Sequence, residues 1–270
     1  MKRIFIWVLF ICLFSSALGY ILYRYNRIKQ EKQQYIAPEN INKINIVDVN
    51  SLEEQAKQVI PQGAFDYIAG GAETEQTLRR NISAFDDVDI VPRVLRGVDT
   101  PDLNTSILGI DISLPVIVAP AAAHGLAHVS AEAGTARGAA LAGTIMAISN
   151  YASSSLRDIA IAGAGAPQWF QLYLSKDDAF NRSIVKLAES LGMRAIVLTV
   201  DAPIAGNRFR DARNNFKFPL ALPNVAKKSG DTKGQGIGAI FAAAQNQFAA
   251  DTVRYVKSFT KLPVIVKGIG

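Results

Sequence analysis

Ala195-Ile196-Val197-Leu198-Thr199-Val200-Asp201 is a run of apolar and β-branched residues that ends on polar side chains. It reads as a buried strand, because a strand covered on both faces carries apolar residues without alternation. Thr199 and Asp201 are two apart, so they point to one face at the strand's C-terminal end. The pattern recurs on either side. Runs at 116–119, 144–149, 169–173 and 264–267 share the composition, and Ser149 with Tyr151 and Gln171 with Tyr173 repeat the spacing of polar groups. Between the runs, 131–141, 155–162, 179–191 and 251–259 have helical spacing, so strand and helix alternate without any repeat in the residues themselves.

Such a chain permits an open doubly wound α/β sheet or a closed (β/α)8 barrel, and periodicity does not choose between them. Polar side chains at several strand ends suit a barrel mouth. The stretch 205–247 holds Gly206, Gly230, Gly234, Gly236 and Gly238, has no strand pattern and exceeds an ordinary loop. A mobile flap over the mouth is the functional reading, and a surface insertion is the other. Ahead of the strands, Ser51 with Glu54 three residues on resembles a capped helix start, with Leu52, Ala56 and Val59 as its apolar face. Two further short helices are expected over 63–69 and 73–82.

The 270 residues are 49% hydrophobic and 19% charged, enough apolar material for one substantial domain and unlike a disordered chain. A net charge of +6 raises the question of nucleic acid, but the basic residues are scattered. Their densest group, Arg24, Arg27, Lys29 and Lys32, directly follows an apolar run, which points to lipid headgroups. Cys12 is the only cysteine, so no intrachain disulfide is possible, and two histidines, His124 and His128, argue against a zinc site.

Residues 4–23 are apolar apart from Ser15, Ser16 and Gly19, about the length that spans a bilayer core. The expectation is a membrane anchor over 1–24, a polar linker over 25–43 and one globular unit over 44–270. A signal peptide is the rival reading, since Lys2 and Arg3 precede the run and Ala17 and Gly19 are small. More positive charge follows the run than precedes it, which favours a single-pass anchor with the globular part on the cytoplasmic side.

Small residues in Pro120-Ala121-Ala122-Ala123-His124-Gly125 would let a flat ring approach the backbone, although small residues after a strand more often reflect tight packing. Alone, His124 reads as a hydrogen-bonded structural residue. Taken together, this segment, Phe65-Asp66-Tyr67-Ile68-Ala69-Gly70-Gly71, Trp169-Phe170-Gln171-Leu172-Tyr173, Leu198-Thr199-Val200-Asp201, Gly206-Asn207-Arg208 and Val266-Lys267-Gly268 resemble, in order and spacing, the FMN-dependent L-2-hydroxy acid oxidases. The His-Gly-Leu-Ala-His run at 124–128 resembles the lactate oxidase branch more than the glycolate oxidases.

The resemblance covers about 44–270 and implies a (β/α)8 barrel with a flavin at its C-terminal mouth, of which five of eight strands fall within the chain. It implies that the backbone at Pro120, Ala121 and Ala122 lies against the ring, that Ser149, Gln171 and Thr199 bond to its polar edge, and that Lys267 faces its N1 and O2 side. Arg208, Tyr67 and Tyr173 would hold a substrate carboxylate, with Tyr151 as a further candidate. Asp201 corresponds to the carboxylate that pairs with the family's catalytic histidine.

That histidine lies after the sixth strand in this family, and the phosphate site in the loops after the seventh and eighth, so the base and the phosphate cradle are expected to be missing. The implied reaction is oxidation of an L-2-hydroxy acid, lactate first among them, with oxygen or a membrane quinone as acceptor and a homo-oligomer as the assembly. The competing expectation is a catalytically inert, membrane-tethered fragment or interaction module.

Overall fold

The computed structural model describes residues 46–225, 233–242, 244 and 248–269. The chain divides into two units, 1–36 and 37–270, and every described residue belongs to the second. The expected anchor therefore lies outside the described residues, among which no helix is long and apolar enough to cross a membrane.

Short helices come first: α1 Ser51–Val59, α2 Gln62–Ala69 and α3 Gln76–Ser83, the last running into a 3-10 turn at Ala84–Asp87. Ser51 is not the cap expected of it. Asn50 holds the N-cap position without a side-chain bond, and two residues earlier Asp48 Oδ1 accepts from Ser51 N at 2.9 Å while its carbonyl accepts from the Ser51 hydroxyl. The apolar face of α1 is only partly covered, with Leu52 and Ala56 half-buried and Val59 exposed. α3 starts later than expected because Glu73 and Glu75 sit in left-handed conformations, φ 52° and 60°, that a helix cannot contain.

A hairpin that the sequence reading did not anticipate follows, β1 Thr105–Ile107 against β2 Ile110–Ile112. Leu108 and Gly109, with φ 51° and 71°, turn the chain in the two-residue, positive-φ geometry that matches strand twist. Ile110 and Ile112 are buried against Ile145, Ala147, Trp169, Ala195 and Val197.

The central sheet has four parallel strands hydrogen-bonded in chain order, β3 Met146–Ile148, β4 Gln168–Leu172, β5 Ile196–Thr199 and β6 Val264–Lys267. The expected strand at 116–119 makes one parallel bridge, Val118 to Met146, and is not a full strand. Prolines at 115 and 120 flank it and remove a donor at each end.

Helices α4 Ala131–Leu141, α5 Leu156–Ala162 and α6 Asp178–Ser190 alternate with the strands. The short helices α7 Phe209–Arg213 and α8 Ile237–Phe241 lie in the long insertion, and α9 Asp251–Lys257 precedes β6. Alternate strand residues explain the two covered faces. Met146, Ile148, Phe170, Leu172, Ile196 and Leu198 pack against α4, α5, α6 and α9, while Ala147, Trp169 and Val197 on the other face meet the hairpin.

Strand order separates the two α/β architectures left open above. A doubly wound sheet reverses direction at a switch point and carries helices on both faces. Here the order is sequential, and the packed helices share one face, the arrangement of a barrel wall.

Candidate active site

Because the strands are parallel, their C-terminal ends lie together, and the polar residues expected there converge. Ser149, Gln171 and Thr199 are buried to within 4% of full cover. They satisfy one another and the nearby backbone: Gln171 Nε2 donates to Thr199 Oγ1 at 3.0 Å, Gln171 Oε1 accepts from Asn150 N at 3.2 Å, and Ser149 Oγ accepts from Tyr151 N at 3.1 Å. Lys267 pairs in register with Thr199 and reaches Asp201, Nζ to Oδ1 3.4 Å, with both side chains more than 40% exposed. An ion pair that open to water contributes little to stability, so the geometry leaves the ammonium available to a ligand.

Three tyrosines stand around this row. Tyr151 and Tyr173 stack with centroids 4.9 Å apart. Burial pushes all three phenols up, with the charge of Asp201 adding to the effect on Tyr173, so each remains a neutral donor at ordinary pH. Tyr67 arrives from α2, stacks on Phe216 at 5.5 Å and carries Arg208 4.8 Å from its ring centroid. Arg208 is further held by Asp211, Nε to Oδ2 2.7 Å, and by the carbonyl of Tyr67. Arg208 lines a cleft of about 350 Å³ together with Asn207, Asn215 and Lys217.

Two sequence segments 134 to 135 residues apart are locked together to make this corner. Glu73 N donates to Asn207 O at 2.8 Å, Asn207 Nδ2 to Glu73 Oε1 at 2.6 Å, and Arg210 pairs with Glu75 at 2.6 Å. Gly206 is required by contact, since a Cβ there would meet the Ala72 Cβ at 2.8 Å. Of the stretch expected to form a flap, the described residues just after Arg208 are packed against the body of the domain. Phe218, Leu222 and Asn224 are buried, because two aromatic rings on Tyr67 and an asparagine bonded into the next loop pack that segment down.

Pro120, Ala121 and Ala122 lie beyond the bridge at Val118, with Ala121 exposed and the other two half-buried. His124 is structural, as its composition context implied: Nδ1 meets Thr135 Oγ1 at 2.9 Å and burial lowers its pKa, opposed in part by Glu132. His128 Nδ1 meets Ser130 Oγ at 2.8 Å.

Three buried polar residues escaped the sequence reading. Glu132, fully covered, accepts from the loops at 124 and at 153–154. Asn150 accepts from Tyr173 N at 3.3 Å and donates to the Asn224 carbonyl. Asn224 in turn accepts from Leu156 N at 2.9 Å and donates to Ser154 O at 2.8 Å. A glutamate in the first turn of an otherwise Ala- and Gly-rich helix was the only local signal, and the asparagines offered none. Among the described residues no cluster of histidine, cysteine and carboxylate side chains is placed to hold a metal.

The family model for FMN-dependent dehydrogenases matches residues 56–270. The chain is 47% identical to an L-lactate oxidase of Lentilactobacillus hilgardii, over 87% of this chain and 64% of that protein. It is 37% identical to human 2-hydroxyacid oxidase 1, over 83% of the chain and 63% of the relative. Among solved structures it is similar to a Pediococcus acidilactici lactate oxidase, with a TM-score of 0.80 and 46% identity over 87% of this chain and 63% of that one. It is also similar to a mandelate oxidase with (S)-4-hydroxymandelic acid, with a TM-score of 0.76 and 36% identity over 83% and 64% of the two chains. The chain thus spans a little under two thirds of the length of the relatives it matches. Sequence match, shared fold and the convergence of strand-end polar groups agree, and the chain belongs to the family of FMN-dependent dehydrogenases.

Proposed function

We propose that the protein takes part in FMN-dependent oxidation of an L-2-hydroxy acid, with L-lactate as the substrate, and that this chain supplies the ring-binding and carboxylate-binding half of the site. The observation that carries the reading is the row of Ser149, Gln171 and Thr199, buried at parallel strand ends with Gln171 bonded to Thr199, and with Lys267 beside Thr199. Such a row offers the donors and acceptors that match the polar edge of an isoalloxazine, and small residues at Pro120 to Ala122 leave room for its face. A flavin held there would supply the acceptor for the hydride that leaves the substrate's α-carbon.

The chain's own residues then divide the remaining work. Lys267 places positive charge where the ring's N1 and O2 edge would carry negative charge. Arg208 and the neutral phenols of Tyr67 and Tyr173 hold the carboxylate, and Tyr151, stacked on Tyr173, shapes the pocket beside them. Asp201 orients and stabilises a protonated base. The Nδ1 of His124 meets the Thr135 hydroxyl and that of His128 the Ser130 hydroxyl, where a base paired with Asp201 would present its ring nitrogen to that carboxylate.

This placement of the histidines favours a second reading, a chain that binds flavin and substrate without turning it over, such as a tethered fragment or interaction module. The run at 4–23, as a membrane anchor, would bring a quinone within reach as electron acceptor in place of oxygen.

Titration of purified protein with FMN, followed by anaerobic L-lactate and D-lactate, tests the proposal. Flavin uptake with bleaching near 450 nm by L-lactate alone supports the oxidase. Uptake without bleaching supports the inert reading, and a protein that takes up no flavin overturns both.

A further inference from the structure

We propose that Glu132 is a positioning residue that locks the two mouth loops, 120–125 and 149–154, into the one register that fits the flavin ring. The inference rests on the reading of Pro120, Ala121 and Ala122 as ring-facing backbone.

Glu132 is 0% exposed, and no described ion pair includes it. A buried carboxylate without a cation is costly unless hydrogen bonds replace its water. Here they do. Oε1 accepts from His124 N at 2.9 Å and Ser153 N at 2.8 Å, while Oε2 accepts from Ser154 N at 2.9 Å and Ser153 Oγ at 2.9 Å. A carboxylate has about four lone-pair sites and no proton, so four donors drawn from two loops saturate it. Burial pushes the carboxyl up, and the amides of Ser153 and His124 outweigh that and hold it below its ordinary range.

The loops so joined are those that carry the candidate ring contacts. Ala123 N donates to Tyr151 O at 3.0 Å, and Gly125 N donates to Ser153 Oγ at 3.0 Å. At Gly125 a Cβ would lie 2.9 Å from that hydroxyl, so the approach is as close as backbone allows. Ala123 is held at φ 54°, a left-handed conformation that costs a non-glycine residue energy and persists only where neighbours over-determine it. The next amide, His124 N, is one that Glu132 holds.

From Glu132 the bonds run on through Ser154, Asn224, Asn150 and Gln171 to Thr199, crossing the ends of three strands. Packing alone would be served by a leucine. A carboxylate is needed because only an acceptor-only group satisfies amides that all point inward. In Glu132→Gln, the new NH2 would face the donors of one loop and push it away from the other.

The test compares the full chain with Glu132→Gln and with Ile159→Val, a core truncation in α5 that leaves every hydrogen bond to Glu132 in place. FMN affinity is read by flavin fluorescence, and amide exchange is followed at His124, Ser153 and Ser154. The expected result is at least tenfold weaker FMN binding and tenfold faster exchange at those amides in Glu132→Gln, with exchange in β4 unchanged and Ile159→Val within twofold on both readouts. Should Glu132→Gln not fold, Ser153→Ala, which removes one donor, carries the same comparison with a threefold effect.

Glu132→Gln within twofold of the parent in affinity or in local exchange overturns the proposal, as does an equal loss of affinity in Ile159→Val. A parent chain that takes up no FMN overturns the flavin reading, and the exchange data alone then decide whether Glu132 holds the loops.

Discussion

Gly268 leaves β6 so close to Asp201 that a Cβ on it would lie 2.4 Å from the aspartate's own Cβ. Its φ of +105° is open only to glycine, so the end of the strand is shaped by two independent demands for the same residue. The consequence reaches the site, because the residue before it, Lys267, meets Asp201 Oδ1 at 3.4 Å. Gly268→Ala should lower the stability by about 1–3 kcal/mol and part Lys267 from Asp201. Urea midpoints measure the first effect. A midpoint equal to the parent's would mean the chain relaxes freely at this point and the close approach has no structural weight.

Lys267 itself distinguishes a solvated strand-end lysine from a flavin contact. Its pair with Asp201 is exposed, so Lys267→Met should cost less than about 1 kcal/mol of stability. FMN affinity, by contrast, should fall about tenfold, the equivalent of about 1.4 kcal/mol. Lys267→Arg keeps the charge but not the compact ammonium and should fall between. Equal FMN affinity in all three proteins would return Lys267 to the solvent.

The strands were legible because burial on both faces leaves β-branched runs with no alternation, and Ser149, Gln171 and Thr199 were legible because polar residues at such strand ends stand out. The hairpin was not, since three-residue strands hold too few positions for a period to show, and β1 is exposed along its length. Segment 116–119 had the composition of a strand, yet the prolines at either end cut its ladder to one bridge. Glu132, Asn150 and Asn224 were invisible for another reason: their hydrogen bonds join residues 8 to 74 positions apart, and only the fold brings those partners together.

Asn224 gives that last point a measurable form. Asn224→Ala leaves the buried Leu156 N and the half-buried Ser154 O without their partner, and the two losses should cost about 1–3 kcal/mol. Asn214→Ala removes one exposed bond, to Asp66, and should cost under about 1 kcal/mol. Denaturant midpoints of the two variants decide the matter. Similar small losses would show that the segment after Arg208 is not pinned by Asn224.

His124 should leave a signature in the pH dependence of stability. Burial lowers its pKa in the folded chain below the ordinary 6.5, so between the two values the unfolded chain binds the extra proton. Stability therefore rises with pH in that window and falls as pH drops through 6.5, with a slope of at most about 1.4 kcal/mol per pH unit for one proton. His124→Asn keeps a polar atom for Thr135 Oγ1 but does not titrate there. Urea midpoints from pH 7.5 to 5.5, where Glu132 stays ionised, should decline for the parent and stay level for the variant. Parallel curves would mean that His124 takes up its proton in the folded chain as readily as in the unfolded one, and that its bond to Thr135 tolerates the imidazolium.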